Sequence, residues 1–287
     1  MVPADWAERA ARRVEARLAA RPHWWSPLDR GLLLTTRTDY RERPLSSAFT
    51  VQVMRAEGAS RRVAVARGAG APLVILPGMY ASLNEGLFAV VAELAARGGG
   101  RTVVLVEDRM AAGTLALNGA EVPSLQRIGL EVAALARALG EGVPPDALAL
   151  SFGAASALAA PPGTFARIAT WSGALDIWAV AENLAKHPMP RFHYSQVHKR
   201  AFHGAGLVPP PIATIPARLA AGAPCGAPPD PLLVLHAVDD PVVPESVVTG
   251  YALEDDQKAV LLPAGAHLGF GTLAGDDVYL VPFQESD

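Results

Sequence analysis

The chain has 287 residues, of which 51% are hydrophobic and 18% are charged, so it can bury a sizeable core and is not expected to be disordered. A formal net charge of −3 excludes a basic footprint for nucleic acid, and no apolar run is long enough to span a bilayer. The single cysteine, Cys225, excludes an internal disulfide framework and favours a reducing compartment. These features predict a cytoplasmic protein.

The N-terminal segment has the spacing of an amphipathic helix. Charged residues interrupt its apolar face, unlike the core of a secretory signal, and its acidic residues are unlike a transit peptide. Such a helix can lie on a membrane surface, but its weak apolar face favours packing against the rest of the chain. The residues of that face are Trp6, Ala7, Ala10, Val14 and Leu18.

Short apolar runs then alternate with helical patterns. Trp24 and Trp25 lie in an irregular segment before an extended stretch at 32–36, and a hairpin is predicted around Glu57-Gly58. Continuous apolar runs predict strands that are buried on both faces of a parallel sheet. The predicted strands are 48–54, 62–66, 72–76, 102–106, 147–150, 166–171, 232–236 and 259–262. The predicted helices are 84–97, 124–139 and one after Ser151, with a loop after residue 106 and an extended stretch at 278–281.

Four strand–helix alternations predict an α/β fold with a mostly parallel central sheet, helices on both faces and right-handed crossovers. The alternation lapses at about 173–230, where helical pieces at 177–186 and 194–202 are mixed with many prolines. An insertion of this length between two core strands is typical of a cap, where substrate selection usually lies. With no internal repeat and no clear linker, residues 1–287 are predicted to form one domain with this cap inserted.

Residues 145–155 carry the first candidate for a catalytic residue. An apolar strand ends at Ser151 and an Ala-rich helical pattern begins at once, with no room for a loop. A serine on such a sharp turn has a strained backbone and an outward hydroxyl, and the small residues Ala149 and Gly153 let strand and helix approach closely. The stretch predicts a nucleophile elbow, although a serine that caps the next helix is the commoner interpretation of such a stretch alone.

A nucleophilic serine needs a histidine to accept its proton and a carboxylate to orient that histidine. Both follow Ser151 in the order acid, then histidine. Asp239-Asp240-Pro241 comes just after the strand 232–236, and His267 comes just after the strand 259–262. Each alone has an ordinary interpretation, as a turn or a surface loop. Their joint occurrence past successive strand ends predicts a Ser-Asp-His triad.

These motifs resemble those of the α/β-hydrolase superfamily, and within it those of the embryogenesis-associated branch. That branch pairs an Asp-Asp-Pro loop with a Gly-Gly-His-x-Gly-Phe loop, which residues 239–241 and 265–270 match. The resemblance covers roughly residues 72–270 without the cap. It implies that Asp240, directly before the proline, is the triad acid, with Asp239 as the fallback.

The oxyanion hole is expected from two backbone N–H groups, one after the nucleophile and one in the loop after the first buried strand. These are the N–H groups of Phe152 and Met79. Tyr80 could line the same pocket, or it could be an ordinary packed tyrosine.

The chain departs from the family pattern at several positions. Pro77 stands where the family often has histidine, and Ala149 stands where it has glycine. Arg109 is similar to the family's arginine after the next strand, but Met110 replaces the glycine expected beside it. These departures leave the predicted fold intact and weaken assignment to one branch.

No cofactor and no metal are predicted. The cap histidines are not spaced to share one helical face, and no cysteine or carboxylate completes a zinc pattern. No glycine-rich phosphate-binding pattern follows a strand, so nucleotide binding has no support. His236 is expected to have a structural role. The cap histidines are His187, His193, His198 and His203.

The predicted function is cleavage of a carboxylic ester, or of a thioester or amide, in a small apolar substrate through an acyl-enzyme on Ser151. An acyltransferase would use the same residues. A non-catalytic α/β-hydrolase-fold protein that binds a small molecule or a partner is the alternative outside enzymes, although a binder need not keep all three triad residues. Apolar cap residues favour an apolar acyl or alcohol portion: Ile177, Trp178, Phe192, Tyr194, Phe202 and Leu207.

Overall fold

The computed structural model describes residues 3, 5–20, 43–98, 100–140, 142–221, 231–251, 253–263, 265–270 and 276–284. The predictions for Trp24, Trp25, residues 32–36 and Cys225 lie outside these residues. Among the residues described, no helix is long and apolar enough to cross a bilayer.

Eight strands form one central sheet in the described part of the chain. They are β1 (Thr50–Ala56), β2 (Ala59–Ala66), β3 (Gly70–Leu76), β4 (Arg101–Val106), β5 (Asp146–Leu150), β6 (Arg167–Trp171), β7 (Leu232–Ala237) and β8 (Lys258–Leu262). Their order across the sheet is β1-β2-β4-β3-β5-β6-β7-β8. The pairs β1–β2 and β2–β4 are antiparallel and all other neighbours are parallel, which confirms the predicted hairpin and the mostly parallel sheet.

Helices connect most of these strands. They are α1 (Trp6–Ala19), α2 (Gly86–Gly98), α3 (Ala112–Asn118), α4 (Leu125–Gly140), α5 (Phe152–Leu158), α6 (Ile177–Lys186), α7 (Pro188–Gly204), α8 (Ile215–Ala220) and α9 (Ser246–Thr249). Short 3-10 helices cover Ile212–Thr214 and Asp276–Phe283. Helix α7 is longer than the predicted 194–202 piece and begins with a proline in its first turn, where a missing N–H costs nothing.

Two predictions were wrong. Helix α3 lies where a loop was predicted, because seven residues are too few to give a clear helical period. Residues 278–281, predicted to be extended, belong to the second 3-10 helix. Val278 and Tyr279 are adjacent and both fully buried, which a helical turn allows but the alternation along a half-buried strand does not.

The sheet separates two apolar cores. Along β3, Leu73 and Ile75 face the core that contains residues of α1 and α2, whereas Val74 and Leu76 face the core that contains residues of α4 and α5. Helices therefore cover both faces. Because both faces are buried, the central strands are continuously apolar, which is why they were recognisable in the sequence.

Helix α1 packs against the C-terminal 3-10 helix, as its apolar face predicted. Trp6 is 3% exposed, and its indole N–H donates to the carbonyl of Pro282 at 3.1 Å. Its ring stacks on Phe283 with centroids 6.1 Å apart, and the guanidinium of Arg167 lies 5.7 Å from its centroid. One aromatic side chain thus joins the two ends of the described chain to the sheet.

Replacing Trp6 by alanine should lower the free energy of unfolding by about 3–5 kcal/mol, because it removes a buried aromatic side chain and leaves a cavity. Trp178 on α6 is 52% exposed and is the matched control. Trp178→Ala should change the same quantity by less than about 0.5 kcal/mol. Urea denaturation followed by circular dichroism measures both. If Trp6→Ala lowered the free energy of unfolding as little as Trp178→Ala does, the packing of Trp6 on α1 would not stabilise the folded chain.

Candidate active site

Ser151 lies at the turn between β5 and α5 in a strained conformation. Its φ of 52° and ψ of −119° are rarely adopted by residues with a side chain. Its N–H donates to the carbonyl of Trp171 at 3.0 Å, and its carbonyl accepts from the N–H groups of Ala154 and Ala174. The side chain makes no capping hydrogen bond to α5, so the interpretation as a helix cap was wrong. The backbone is fixed by its neighbours, and the hydroxyl is left for other contacts.

The turn is tight because Gly153 lets α5 touch the end of β3. A Cβ atom at Gly153 would lie 2.1 Å from the carbonyl oxygen of Leu76, closer than any real contact. The same approach brings the loop after β3 against the serine, since a Cβ atom at Gly78 would lie 3.5 Å from that of Ser151. Ala149, which replaces the family's usual glycine, is fully buried with its methyl group in the core.

His267 and Asp240 form a hydrogen-bonded chain with Ser151. Nε2 of His267 lies 2.9 Å from Oγ of Ser151, and Nδ1 lies 3.0 Å from Oδ2 of Asp240. Because a carboxylate oxygen accepts, Nδ1 carries the proton and Nε2 accepts from the serine hydroxyl. Oδ1 of Asp240 also accepts from the N–H groups of Val242 and Val243, at 2.8 and 3.0 Å, which fixes the carboxylate.

The two candidate acids have different positions. Asp240 contacts the imidazole of His267, whereas Oδ1 of Asp239 accepts the backbone N–H of Ala266 at 2.8 Å. Asp239 thus holds the loop on which the histidine stands. Asp240, the acid preferred from the sequence, is therefore the one in the series of hydrogen bonds that starts at Ser151.

Strained backbone is concentrated at the carboxyl edge of the sheet. Among the described non-glycine residues, positive φ occurs once in the β1–β2 turn, at Glu57, and otherwise only at this edge. Strain of this kind costs roughly 1–3 kcal/mol per residue and is typical of functional sites. The residues are Tyr80 after β3, Ser151 after β5, Ser172 after β6, and Ala266 and Leu268 on either side of His267.

The loop after β3 holds the predicted oxyanion residue Met79. A single cavity is lined by Met79, Phe152, Tyr80 and Ser151 together, so both predicted oxyanion residues lie beside the serine. Tyr80 therefore does line the pocket, and burial raises the pKa of its hydroxyl.

Asp108 fixes the shape of this loop. Its Oδ1 accepts the N–H of Tyr80 at 2.7 Å and that of Met110 at 3.1 Å, and its own N–H donates to the carbonyl of Ala81. Burial raises the pKa of Asp108, an effect that the bonded N–H groups and the guanidinium of Arg61 oppose. Asp108 was not among the site residues predicted from the sequence. The sequence pattern that could have indicated it is the run of three charged residues at 107–109, directly after an apolar strand.

Arg109, which is similar to the family's arginine, lies in a buried charge cluster. Its Nε is 3.4 Å from the carboxylate of Glu131, and Nε of Arg61 is 2.9 Å from the same group. All three side chains are almost fully buried. The cluster supports the end of β4 and lies outside the cavity lining.

The cavity beside Ser151 is apolar and is covered by the inserted segment. Counting its open mouth, it contains about 590 Å³ of space. None of the described residues that line it is charged, and only Ser151, Tyr80 and Tyr194 carry a hydroxyl. The inserted segment contributes Ile177, Val180, Ala181, Leu184, Tyr194, Ile212, Ile215, Pro216 and Leu219.

Other apolar residues of the inserted segment have other roles. Phe202 is fully buried in the core, and Leu207 packs against it. Trp178 and Phe192 are 52% and 64% exposed. Of the apolar residues that the sequence suggested for substrate contact, Ile177 and Tyr194 are the ones that line the cavity.

Two side chains dock the inserted segment onto the carboxyl edge of the sheet. Nδ2 of Asn183 donates to the carbonyls of Pro241 and Val242, beside Asp240. His198 on α7 lies 2.8 Å from the hydroxyl of Tyr80 through Nδ1, and 2.8 Å from the carbonyl of Pro210 through Nε2. Because the carbonyl can only accept, Nε2 carries the proton and Nδ1 accepts from Tyr80.

Three histidines outside the hydrogen-bonded set with Ser151 lie in buried surroundings. Burial lowers the pKa of His193, His198 and His236. His236 is fully buried at the end of β7. Within the described ranges, no group of three or more His, Cys, Asp and Glu side chains is placed to hold a metal ion.

Gly153→Ala should destabilise the fold by several kcal/mol, roughly 3 or more, because its methyl group would meet the backbone of β3. Gly98 at the end of α2 is the matched control, since a Cβ atom there meets nothing within 4 Å. Gly98→Ala should leave stability unchanged or raise it by about 0.5 kcal/mol. Thermal unfolding of both variants tests this, and a fully stable Gly153→Ala protein would contradict the close approach.

Comparison of the sequence with family models and with curated proteins gives no match. Comparison of the structure with solved structures gives many. A bacterial esterase of the hormone-sensitive lipase family is 18% identical, with a TM-score of 0.54, over 99% of this chain and 98% of that one. An esterase from Pyrococcus furiosus is 12% identical, with a TM-score of 0.57, over 85% of this chain and 90% of that one.

The mouse alpha/beta hydrolase domain-containing protein 10 is 16% identical, with a TM-score of 0.51, over 82% of this chain and 96% of that one. At these identities the likeness concerns the path of the chain rather than its chemistry. The strand order and the carboxyl-edge turns agree with it. The chain has the α/β-hydrolase fold.

Proposed function

We propose that the protein is a serine hydrolase that cleaves a carboxylic ester, or a related thioester or amide, through an acyl-enzyme on Ser151. The observation that carries the proposal is the chain of hydrogen bonds from the strained Ser151 through His267 to Asp240. Ser151 lines an apolar cavity beneath the inserted segment. The esterases among the structures with this fold are consistent with the proposal.

The reaction begins when Oγ of Ser151 attacks the carbonyl carbon while its proton passes to Nε2 of His267. The carbonyl oxygen becomes an oxyanion. As the bond from carbon to the leaving oxygen breaks, His267 gives its proton to that oxygen, and the alcohol departs. Water then repeats the sequence on the acyl-enzyme and releases the acid. Asp240 keeps the imidazole in the required tautomer and orientation throughout.

The oxyanion is stabilised by the backbone N–H groups of Met79 and Phe152, which come from the two loops packed against each other at Gly153. Removal of one such donor typically lowers kcat by about 10²–10³-fold. Asp108 acts on this step indirectly, because it fixes the loop that carries Met79. It is a positioning residue.

The substrate portion that enters the cavity is uncharged and apolar. A charged group there would lose its hydration and find no counter-charge among the described lining residues. We also propose that residues 173–230 act as a cap, because α6, α7 and α8 supply much of the lining and α6 and α7 dock onto the catalytic edge. Val180 and Leu184, one turn apart on α6, both line this apolar wall.

A fluorophosphonate probe should label Ser151 in the wild-type protein, because an activated serine attacks the phosphorus atom. Ser151→Ala should abolish the label, which mass spectrometry of the digested protein will locate. Ser156→Ala is the matched control, since this serine is buried in the same helix and bonds only to the helix backbone. The Ser156→Ala protein should still be labelled at Ser151.

The absence of a label on the folded wild-type protein would contradict the proposal and favour a binding protein. A labelled protein that transfers the acyl group to an added alcohol, but releases no free acid into water, would be an acyltransferase. Release of free acid in buffer alone supports the hydrolase.

Two p-nitrophenyl esters of equal acyl length test the substrate class. The butanoate should be cleaved with a kcat/KM about 100-fold or more above that of the hemisuccinate, whose terminal carboxylate would be buried without a partner. The initial rate of p-nitrophenol release measures both, corrected for spontaneous hydrolysis. Equal efficiencies would show that the acyl portion does not enter the apolar cavity.

A further inference from the structure

The cap carries a hydroxyl group that faces the reacting serine. Tyr194 stands on α7 and lines the same cavity as Ser151, and the Ser151 hydroxyl is close enough to act on the pKa of Tyr194. Its sequence neighbours on α7 do not line the cavity, and His193 packs edge-on against its ring at 6.3 Å. A polar group is therefore directed into an otherwise apolar space.

The other two hydroxyl groups of the cavity already donate to protein acceptors. The hydroxyl of Tyr80 donates to Nδ1 of His198, and that of Ser151 donates to Nε2 of His267. Tyr194 is the remaining side-chain hydroxyl among the described lining residues. It is the one available to donate to a substrate oxygen.

The surroundings keep this group protonated. Burial raises the pKa of Tyr194 to about 12, and the nearby carboxylates of Asp240 and Glu85 act in the same direction, whereas the Ser151 hydroxyl acts against it. A neutral phenol is a donor over the whole range in which an esterase works. It can donate a hydrogen bond while the proton stays on its own oxygen.

We propose that Tyr194 donates a hydrogen bond to the negatively charged oxygen of the tetrahedral intermediate, as a third donor beside the two backbone N–H groups. In the resting state both hydroxyl-bearing residues line the same cavity. After attack, the oxyanion is bonded to the same carbon as Oγ of Ser151, so it forms at the cavity that Tyr194 lines. No bond to Tyr194 forms or breaks, and its proton stays on the phenol.

This inference rests on the proposed serine hydrolase function and assigns part of its machinery to the cap. A substrate that holds the cap in place would also hold Tyr194 beside the two backbone N–H groups. All three hydrogen-bond donors would then be present. Tyr194 would then be a catalytic residue, because it touches a reacting atom, whereas Asp108 and Asn183 only hold elements in place.

The test compares Tyr194→Phe with the wild-type protein on p-nitrophenyl butanoate. Loss of a donor that acts in the transition state should lower kcat by on the order of 10²-fold and leave KM within about twofold. Phe192→Leu, a change of an exposed aromatic residue on the same helix, is the matched control and should leave both constants unchanged. Thermal unfolding verifies that each variant is folded.

A second measurement separates a donor from a packing role. An alkyl trifluoromethyl ketone forms a tetrahedral adduct with the active serine, whereas the corresponding alcohol occupies the cavity without reacting. Tyr194→Phe should weaken binding of the ketone by a factor similar to the loss in kcat, and it should leave binding of the alcohol unchanged. Equal weakening of both compounds would assign Tyr194 to cavity shape and overturn the inference.

The two proposals fail in different ways. If the fluorophosphonate probe does not label wild-type Ser151, the hydrolase proposal fails and the inference fails with it. If the wild-type protein is labelled and active while Tyr194→Phe keeps its kcat within about twofold, only the role of Tyr194 is overturned.

Discussion

The close approach of α5 to β3 is the constraint on which the site depends. At Gly153 the helix backbone lies so near the carbonyl of Leu76 that no side chain fits between them. The chain must therefore reverse within one residue at Ser151, which forces its positive φ. The same contact presses the loop after β3 against the serine. Ser151 and the loop after β3 are thus placed by a single packing contact.

The strained edge is held by polar groups that lie behind the reacting atoms. Asp108 bonds the backbone at Tyr80, and Asp239 bonds it at Ala266. The hydroxyl of Ser172 accepts from the N–H of Leu268, and the hydroxyl of Tyr279 donates to the carbonyl of that residue. Positive-φ conformations cost roughly 1–3 kcal/mol at each of these residues, and burial of the two apolar cores offsets this cost. The result is a site whose geometry exists before any substrate arrives.

The inserted segment has two kinds of contact with this rigid edge. Its apolar residues line the cavity beside Ser151. Three of its polar residues lie at this edge: Asn183 bonds the carbonyls of residues 241 and 242, His198 bonds Tyr80, and Tyr194 lines the cavity beside Ser151.

The sequence by itself determined the sheet, the elbow and the candidate triad residues. Strands buried on both faces are continuously apolar, and a turn without a loop needs small residues, so both leave local signals. Only the tertiary structure decided that Asp240 and not Asp239 meets His267, that Asp108 shapes the oxyanion loop, and that Tyr194 faces Ser151. These contacts join segments far apart along the chain, 27 residues for Asp240 and His267 and 28 for Asp108 and Tyr80. Sequence spacing carries no information on such distances, because they are set by how loops pack at the edge of the folded sheet.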